Sequence, residues 1–350
     1  MKTFRKTLSL LMALIICLGA MPLAAGALDI KADGGWTYVV ENGTATIYFC
    51  DNTITGDVTI PSKLGGYKVT AIGNRAFKER DTFTSVTIPD SVTTIGDEAF
   101  KNSNLTSINL GKGVTSIGAN AFDFCTKLTS LTIPDNVKTI GEYAFSNCTS
   151  LTKVTIGKGV TTLGINSFRN CINLKDLTIS KGIKTIGSGA FYDCHSLTSV
   201  ALPDSVTTIE NYAFSNCNER IAITFGEDLK SIGNGAFMGC SKLTDVYFKG
   251  TTNEWKAVAV GNSNDNLTQA KTHILGDPII PIIPSKPSTP TDPDTPDNPD
   301  NPDEGTPAQC DCKCHAKGFK KFIFKIVLFF QKIFRKNQSC SCGALHYVIL

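Results

Sequence analysis

Only four histidines occur among the 350 residues, and just His195 and His273 lie ahead of the proline-rich stretch that begins at Pro278. Acid–base catalysis recruits histidine more than any other side chain, so the body of the chain has little material for it. No G-x-S-x-G, H-E-x-x-H or P-loop pattern occurs, which removes common signatures of a nucleophilic serine, a zinc protease and a phosphate cradle. Long apolar runs are missing too. The one near the C-terminus is short and carries Lys325, whereas a membrane span needs about 20 apolar residues. An L-P-x-T-G sorting signal is likewise absent. These gaps argue against an enzyme and leave a binding protein or a structural one.

What is present begins with an export signal. Lys2, Arg5 and Lys6 precede an apolar core, Leu8 to Ala20, and Ala25-Gly26-Ala27 forms a small-residue cleavage site. That pattern predicts a secretory signal peptide over residues 1–27, removed to leave a protein outside the membrane. A lipoprotein reading of Cys17 fails because Ile16 stands where a small residue is required. The net charge of +3 conceals an asymmetry: residues 1–27 carry +3 and residues 308–350 carry +7, which leaves −7 over residues 28–307, most of it in the acidic, proline-rich stretch that follows the repeats. A nearly neutral body with a basic tail excludes nucleic acid as the expected partner. It points the tail at an anionic surface, membrane or cell envelope.

The body is a repeat. Phe77, Phe100, Phe122, Phe145, Phe168, Phe191, Phe214 and Phe237 recur every 23 residues with one step of 22, and Cys125, Cys148, Cys171, Cys194, Cys217 and Cys240 keep a strict 23-residue spacing. Within one unit, Leu128, Leu131 and Ile133 follow L-x-x-L-x-L. A short strand there turns Leu131 and Ile133 inward and Ser130 and Thr132 outward. Pro134 ends it, having no N–H for a ladder. The chain then returns through Val137, Ile140, Ala144 and Phe145 to Cys148, with Gly141 where a bulkier residue would strain the backbone. No single coil has a core; stacking buries the apolar rows, with strands about 4.8 Å apart.

With I-G-x-x-A-F recurring from Tyr67 to Ile274, the units resemble BspA-like leucine-rich repeats; Glu210 replaces the glycine in one of them. The resemblance implies an α/β-type repeat solenoid with short parallel strands and an irregular or short-helical convex side. It also implies a secreted or cell-surface protein that adheres to a protein or surface ligand, on host matrix or on other microbes. A structural, self-assembling surface protein without a specific ligand is the alternative. Asn42-Gly43 between alternating runs is a strong hairpin signal and predicts an N-terminal β cap over 28–62. Repeats with a C-terminal cap follow over 63–276, with Trp255 covering the last coil.

The outward strand positions are the candidate binding surface: Ser107, Asn109, Ser130, Thr132, Lys153, Thr155, Asp176, Thr178, Asp245 and Tyr247. Hot spots favour Trp, Tyr and Arg, which are scarce on this face. It therefore binds weakly through many copies, or the partner uses another face, or the threonines merely suit exposed strands. One turn position alternates Asp90, Asp135 and Asp204 with Lys112, Lys158 and Lys181. It reads as solvated turn chemistry with weak ion pairs rather than a charged binding edge. The repeated cysteines read as buried thiols filling small apolar sites, although export would permit disulfides.

Residues 277–308 are too rich in Pro and Asp to pack and predict an extended spacer. The tail, 309–350, brings two clusters: Cys310, Cys312, Cys314 and His315, then Cys340, Cys342 and His346. Soft donors in this pattern suit zinc, and disulfides remain the rival outside the cell. Between the clusters, Lys320, Lys321, Lys325, Lys332, Arg335 and Lys336 share one arc of a helical wheel opposite a face of Phe, Ile and Val. That is a basic amphipathic helix suited to a membrane interface, or to packing within a small stapled domain.

Overall fold

The computed structural model describes residues 29–219 and 222–277. The expected signal peptide, spacer, Cys/His clusters and basic amphipathic helix lie outside these residues. The described chain winds into stacked coils, each contributing two short strands to two parallel ladders. The first ladder runs from Gly56–Thr59 and Phe83–Thr87 through Ser107–Asn109, Ser130–Ile133, Lys153–Ile156, Asp176–Ile179, Ser199–Ala201, Ala222–Phe225 and Asp245–Phe248 to Lys271–Ile274. It divides into parallel sheets of three, three and four strands. The register is strict: Ser130 faces Lys153 and Lys153 faces Asp176, while Thr132, Thr155 and Thr178 form the parallel column. Leu131 and Ile133 are buried and Ser130 and Thr132 exposed, and the strand stops at Ile133, ahead of Pro134.

The return path settles the irregular or short-helical alternative. Regular coils carry no helix there; two-residue strands such as Thr139–Ile140 and Thr162–Leu163 form the second ladder. Next comes a turn in which the residues two before and two after each Phe hold left-handed backbone. Tyr143 (φ 55) and Asn147 (φ 57) flank Phe145, and Asn166 and Asn170 flank Phe168. A left-handed residue on each side prevents a right-handed helix from passing through the Phe. Asparagine tolerates that region better than most side chains. The backbone therefore bonds between coils rather than within them: the N–H groups of Tyr143, Phe145 and Asn147 donate to the carbonyls of Ile165, Ser167 and Arg169 at 2.9, 2.8 and 2.7 Å. Among the described residues, helices occur only beyond the last regular coil, at Thr252–Ala257, opened by a Thr251/Glu254 capping box, and at Asp265–Gln269.

The core is one continuous column. From Phe100 to Phe237 the rings lie nearly parallel with centroids 5.1–5.5 Å apart, within the range of offset stacking. Trp36 meets Phe77 edge-on at the N-terminal end. Trp255 stacks on Phe225 at 5.8 Å and packs against Phe248 at the other. Trp36 comes from an antiparallel hairpin, Trp36–Glu41 with Thr44–Cys50, whose Asn42-Gly43 turn is left-handed at both residues, as a two-residue hairpin requires. Thr44–Cys50 then pairs in parallel with Tyr67–Ile72, so the hairpin feeds directly into the second ladder.

The seven described cysteines are free and buried. In the ladder each thiol donates to the carbonyl of the Phe one coil earlier: Cys148 to Phe122, Cys171 to Phe145 and Cys194 to Phe168, each at 3.3 Å. Ser103 continues the column, its hydroxyl 3.2 Å from the Cys125 sulfur. Arg80 closes it, its guanidinium bonded to the Cys50 carbonyl and the Asn52 amide oxygen. The thiols are thus more than filler, because each satisfies a buried carbonyl.

Gly141 marks one close approach of neighbouring coils. A Cβ there would stand 2.5 Å from the Ala119 nitrogen and 2.6 Å from the Gly118 carbonyl carbon, and neither backbone atom can swing aside. Gly141→Ala is expected to lower stability by about 1–3 kcal/mol, as overpacking does. A urea unfolding midpoint equal to wild type would show that the coils are not this tightly apposed. Glu210 occupies the equivalent place one coil above Gly187, and its carboxylate accepts from the Ser188 N–H at 2.9 Å.

Candidate binding surface

The strand face arises from period-two alternation repeated coil after coil. Ser107, Asn109, Ser130, Thr132, Lys153, Asp176 and Thr178 are exposed on it, and Thr155, Asp245 and Tyr247 are half-buried. The ladder brings all ten into two adjacent columns. Other members follow from register rather than from pattern: Asp57 and Ser85 precede Ser107, and Lys271 and His273 follow Asp245 and Tyr247. The period alone places Ser85, one repeat before Ser107, whereas Asp57 lies 28 residues before Ser85 and is placed only by the register. The two helices lengthen the final coil, so Lys271–Ile274 does not fall at the 23-residue spacing.

The two ends of this face carry its chemistry. Asp57 accepts from the Thr84 and Ser85 hydroxyls at 2.8 and 2.7 Å, with Ser85 contributing most to holding its carboxyl below the usual range. At the far end His273 Nε2 lies 2.9 Å from Asp245 Oδ1, and the Tyr247 and His273 rings stack at 4.6 Å. The His273 contact, then the Thr244 hydroxyl, lowers the Asp245 carboxyl. Between these ends the face is hydroxyls, amides and isolated charges. It offers hydrogen bonding in register and few aromatic anchors.

The turn charges stitch coils together. Asp90 accepts from the Lys112 N–H at 2.8 Å and Asp135 from the Lys158 N–H at 3.1 Å. The exposed Lys158–Asp135 ion pair at 3.3 Å adds little beyond that. Among the described residues no group of three or more His, Cys, Asp or Glu is placed to hold a metal ion, and no helix is long and apolar enough to cross a membrane.

No curated protein matches the sequence. Among solved structures, a leucine-rich repeat protein from Bacteroides ovatus is similar at 26% identity over 70% of this chain and 71% of its own, with a TM-score of 0.56. The leucine-rich repeat protein of T. pallidum aligns at 24% identity over 70% of this chain and 98% of its own, with a TM-score of 0.47. A leucine rich cell surface protein from Faecalibacterium prausnitzii aligns at 22% identity over 67% and 99%, with a TM-score of 0.33. The BspA type leucine-rich repeat region matches in six copies over residues 47–175 and 161–274, more than half of the chain, and the protein belongs to that family.

Proposed function

We propose that the protein is a non-catalytic contact protein, exported and held at a bacterial cell surface, whose strand face engages a protein or surface ligand on host matrix or other microbes. The observation that carries this reading is the register of outward, mostly polar side chains that recurs within each of the three successive sheets between Asp57 and His273. Such a face makes many weak contacts, and display at a surface multiplies them. Full-length protein exchanging Lys153→Glu and Asp176→Lys is expected to lose retention on matrix-coated or microbial surfaces while keeping its circular dichroism. Retention equal to wild type would remove the strand face from contact. Concentration-dependent sedimentation without any captured partner would favour the self-assembling alternative.

The tail completes the proposal through its charge of +7 and its basic amphipathic pattern. Each Lys or Arg near an anionic surface contributes about 1 kcal/mol, and the apolar side chains of the amphipathic pattern add the second signal that stable attachment needs. Deleting residues 309–350 is expected to release the protein into the medium with the solenoid folded, and high salt to mimic the deletion. A truncated protein that stays on the cells would place the anchor elsewhere.

A further inference from the structure

Large exposed side chains gather on the turn beside the Phe column, away from the strand face. An open cleft crosses three coils there, lined by Phe124, Tyr143, Arg169, Asn120, Asn147 and Asn170. Phe124 is 46% exposed. Its amides are fixed in direction: Asn170 Nδ2 donates to Asn147 Oδ1 at 2.9 Å, and Asn147 Nδ2 donates to Asp123 Oδ1 at 3.0 Å. Asp123 is buried, and its other oxygen meets Lys101 Nζ at 2.9 Å. The carboxylate is thereby neutralised while it anchors the amide chain. Arg169 lies over the Tyr192 ring at 4.8 Å.

The same turn carries a second platform three coils further on. A Cβ on Gly235 would meet Tyr212 Cε1 at 2.7 Å, so the glycine makes room for the ring to lie across the next coil. Tyr212 is 43% exposed, with Met238 beside it. Rings, guanidinium and ordered amides thus line one surface parallel to the solenoid axis.

We infer that this turn face binds an extended, neutral β-linked polysaccharide along the solenoid axis. Sugar rings present C–H faces that stack on aromatic side chains, and hydroxyls that pair with oriented amides and guanidinium. Coils repeat here every 5.1–5.2 Å at the Phe column behind the cleft, close to the advance of one sugar in such a chain. A peptide would anchor by side chains in apolar pockets, and this lining supplies ring faces and amides instead. An anionic polymer would call for a cluster of cations, and Arg169 is the lone cation in the lining.

The test is native gel electrophoresis of the full chain through hydroxyethyl cellulose, barley β-glucan, xylan and β-mannan. Retardation by at least one is expected. Phe124→Asn with Tyr143→Asn removes both rings but keeps residues that hold the same left-handed backbone as Asn102 and Asn120 in other coils. Losing such anchors should weaken retardation about tenfold or more, with unchanged circular dichroism, while Lys153→Glu with Asp176→Lys leaves it intact. Unchanged mobility across all four polysaccharides overturns the inference. So does retardation that survives the double variant, or a double variant that instead loses binding to a protein-coated surface. Because the strand-face variant is scored separately, failure here leaves the proposed adhesion reading standing.

Discussion

Phe145→Ala is expected to lower the unfolding free energy by about 3–5 kcal/mol, the range for removing a large buried aromatic. The ring is fully buried between Phe122, at 5.1 Å and 2°, and Phe168, at 5.2 Å and 9°. Its removal opens a void whose walls are two rings held in place by their own neighbours. The stability of a solenoid is a sum of unit and nearest-neighbour terms, so a weak coil in the middle also loosens the coupling between the two halves. Ser130→Ala, on the exposed strand face, should stay within about 0.5 kcal/mol. Denaturant titrations of the two variants giving equal shifts would mean that the coil is turned inside out.

Alkali should be the second strong lever. Burial pushes the Cys125 and Cys171 thiols up to about 12 and raises Cys148 and Cys194 in the same direction. In the unfolded chain these groups ionise near their ordinary value of 9.0. The stability they support is therefore present below pH 9 and is lost as pH climbs from 9 toward 12. By pH 10.5, Cys125 and Cys171 should each account for a loss of about 2 kcal/mol. Two such losses are a large part of the roughly 5–15 kcal/mol that holds a typical domain. Urea midpoints measured under reducing conditions should fall steeply over this window. A variant with Cys125, Cys148, Cys171 and Cys194 changed to Ala should start lower and fall more gently. Parallel decline of the two proteins would show that the thiols are not the groups resisting ionisation.

The strands, the Phe column and the buried thiols were legible because each repeats at one spacing and one polarity. Register then assembled the strand-face columns without further information. Three things did not show. The left-handed pair around each Phe is occupied by Arg, Glu, Asn, Asp, Phe, Tyr or Gly in different coils, so no residue type announces it. The turn-face aromatics stayed invisible for a related reason: Phe124 stands two places after its column Phe, Tyr143 and Tyr212 two places before theirs, and Tyr192 one place after. They share a face only because the turn is tight enough to bring those positions together. The last rung, Lys271–Ile274, was hidden by the two helices that lengthen its coil.

Interchangeable rungs have an evolutionary consequence. A coil receives the same bonds from below that it gives to the coil above, as the repeated Phe-to-next-coil and thiol-to-carbonyl contacts show. Unequal crossing-over in frame, adding or dropping one regular 23-residue unit, would leave the Phe-column and thiol contacts of its junctions chemically unchanged and the terminal Trp36 and Trp255 still in place. Overall length is thus free to change by whole steps, and each step taken between Tyr143 and Tyr212 shifts one relative to the other by one ring spacing. A lineage could retune the reach of its aromatic platforms by recombination alone, with no new side chain.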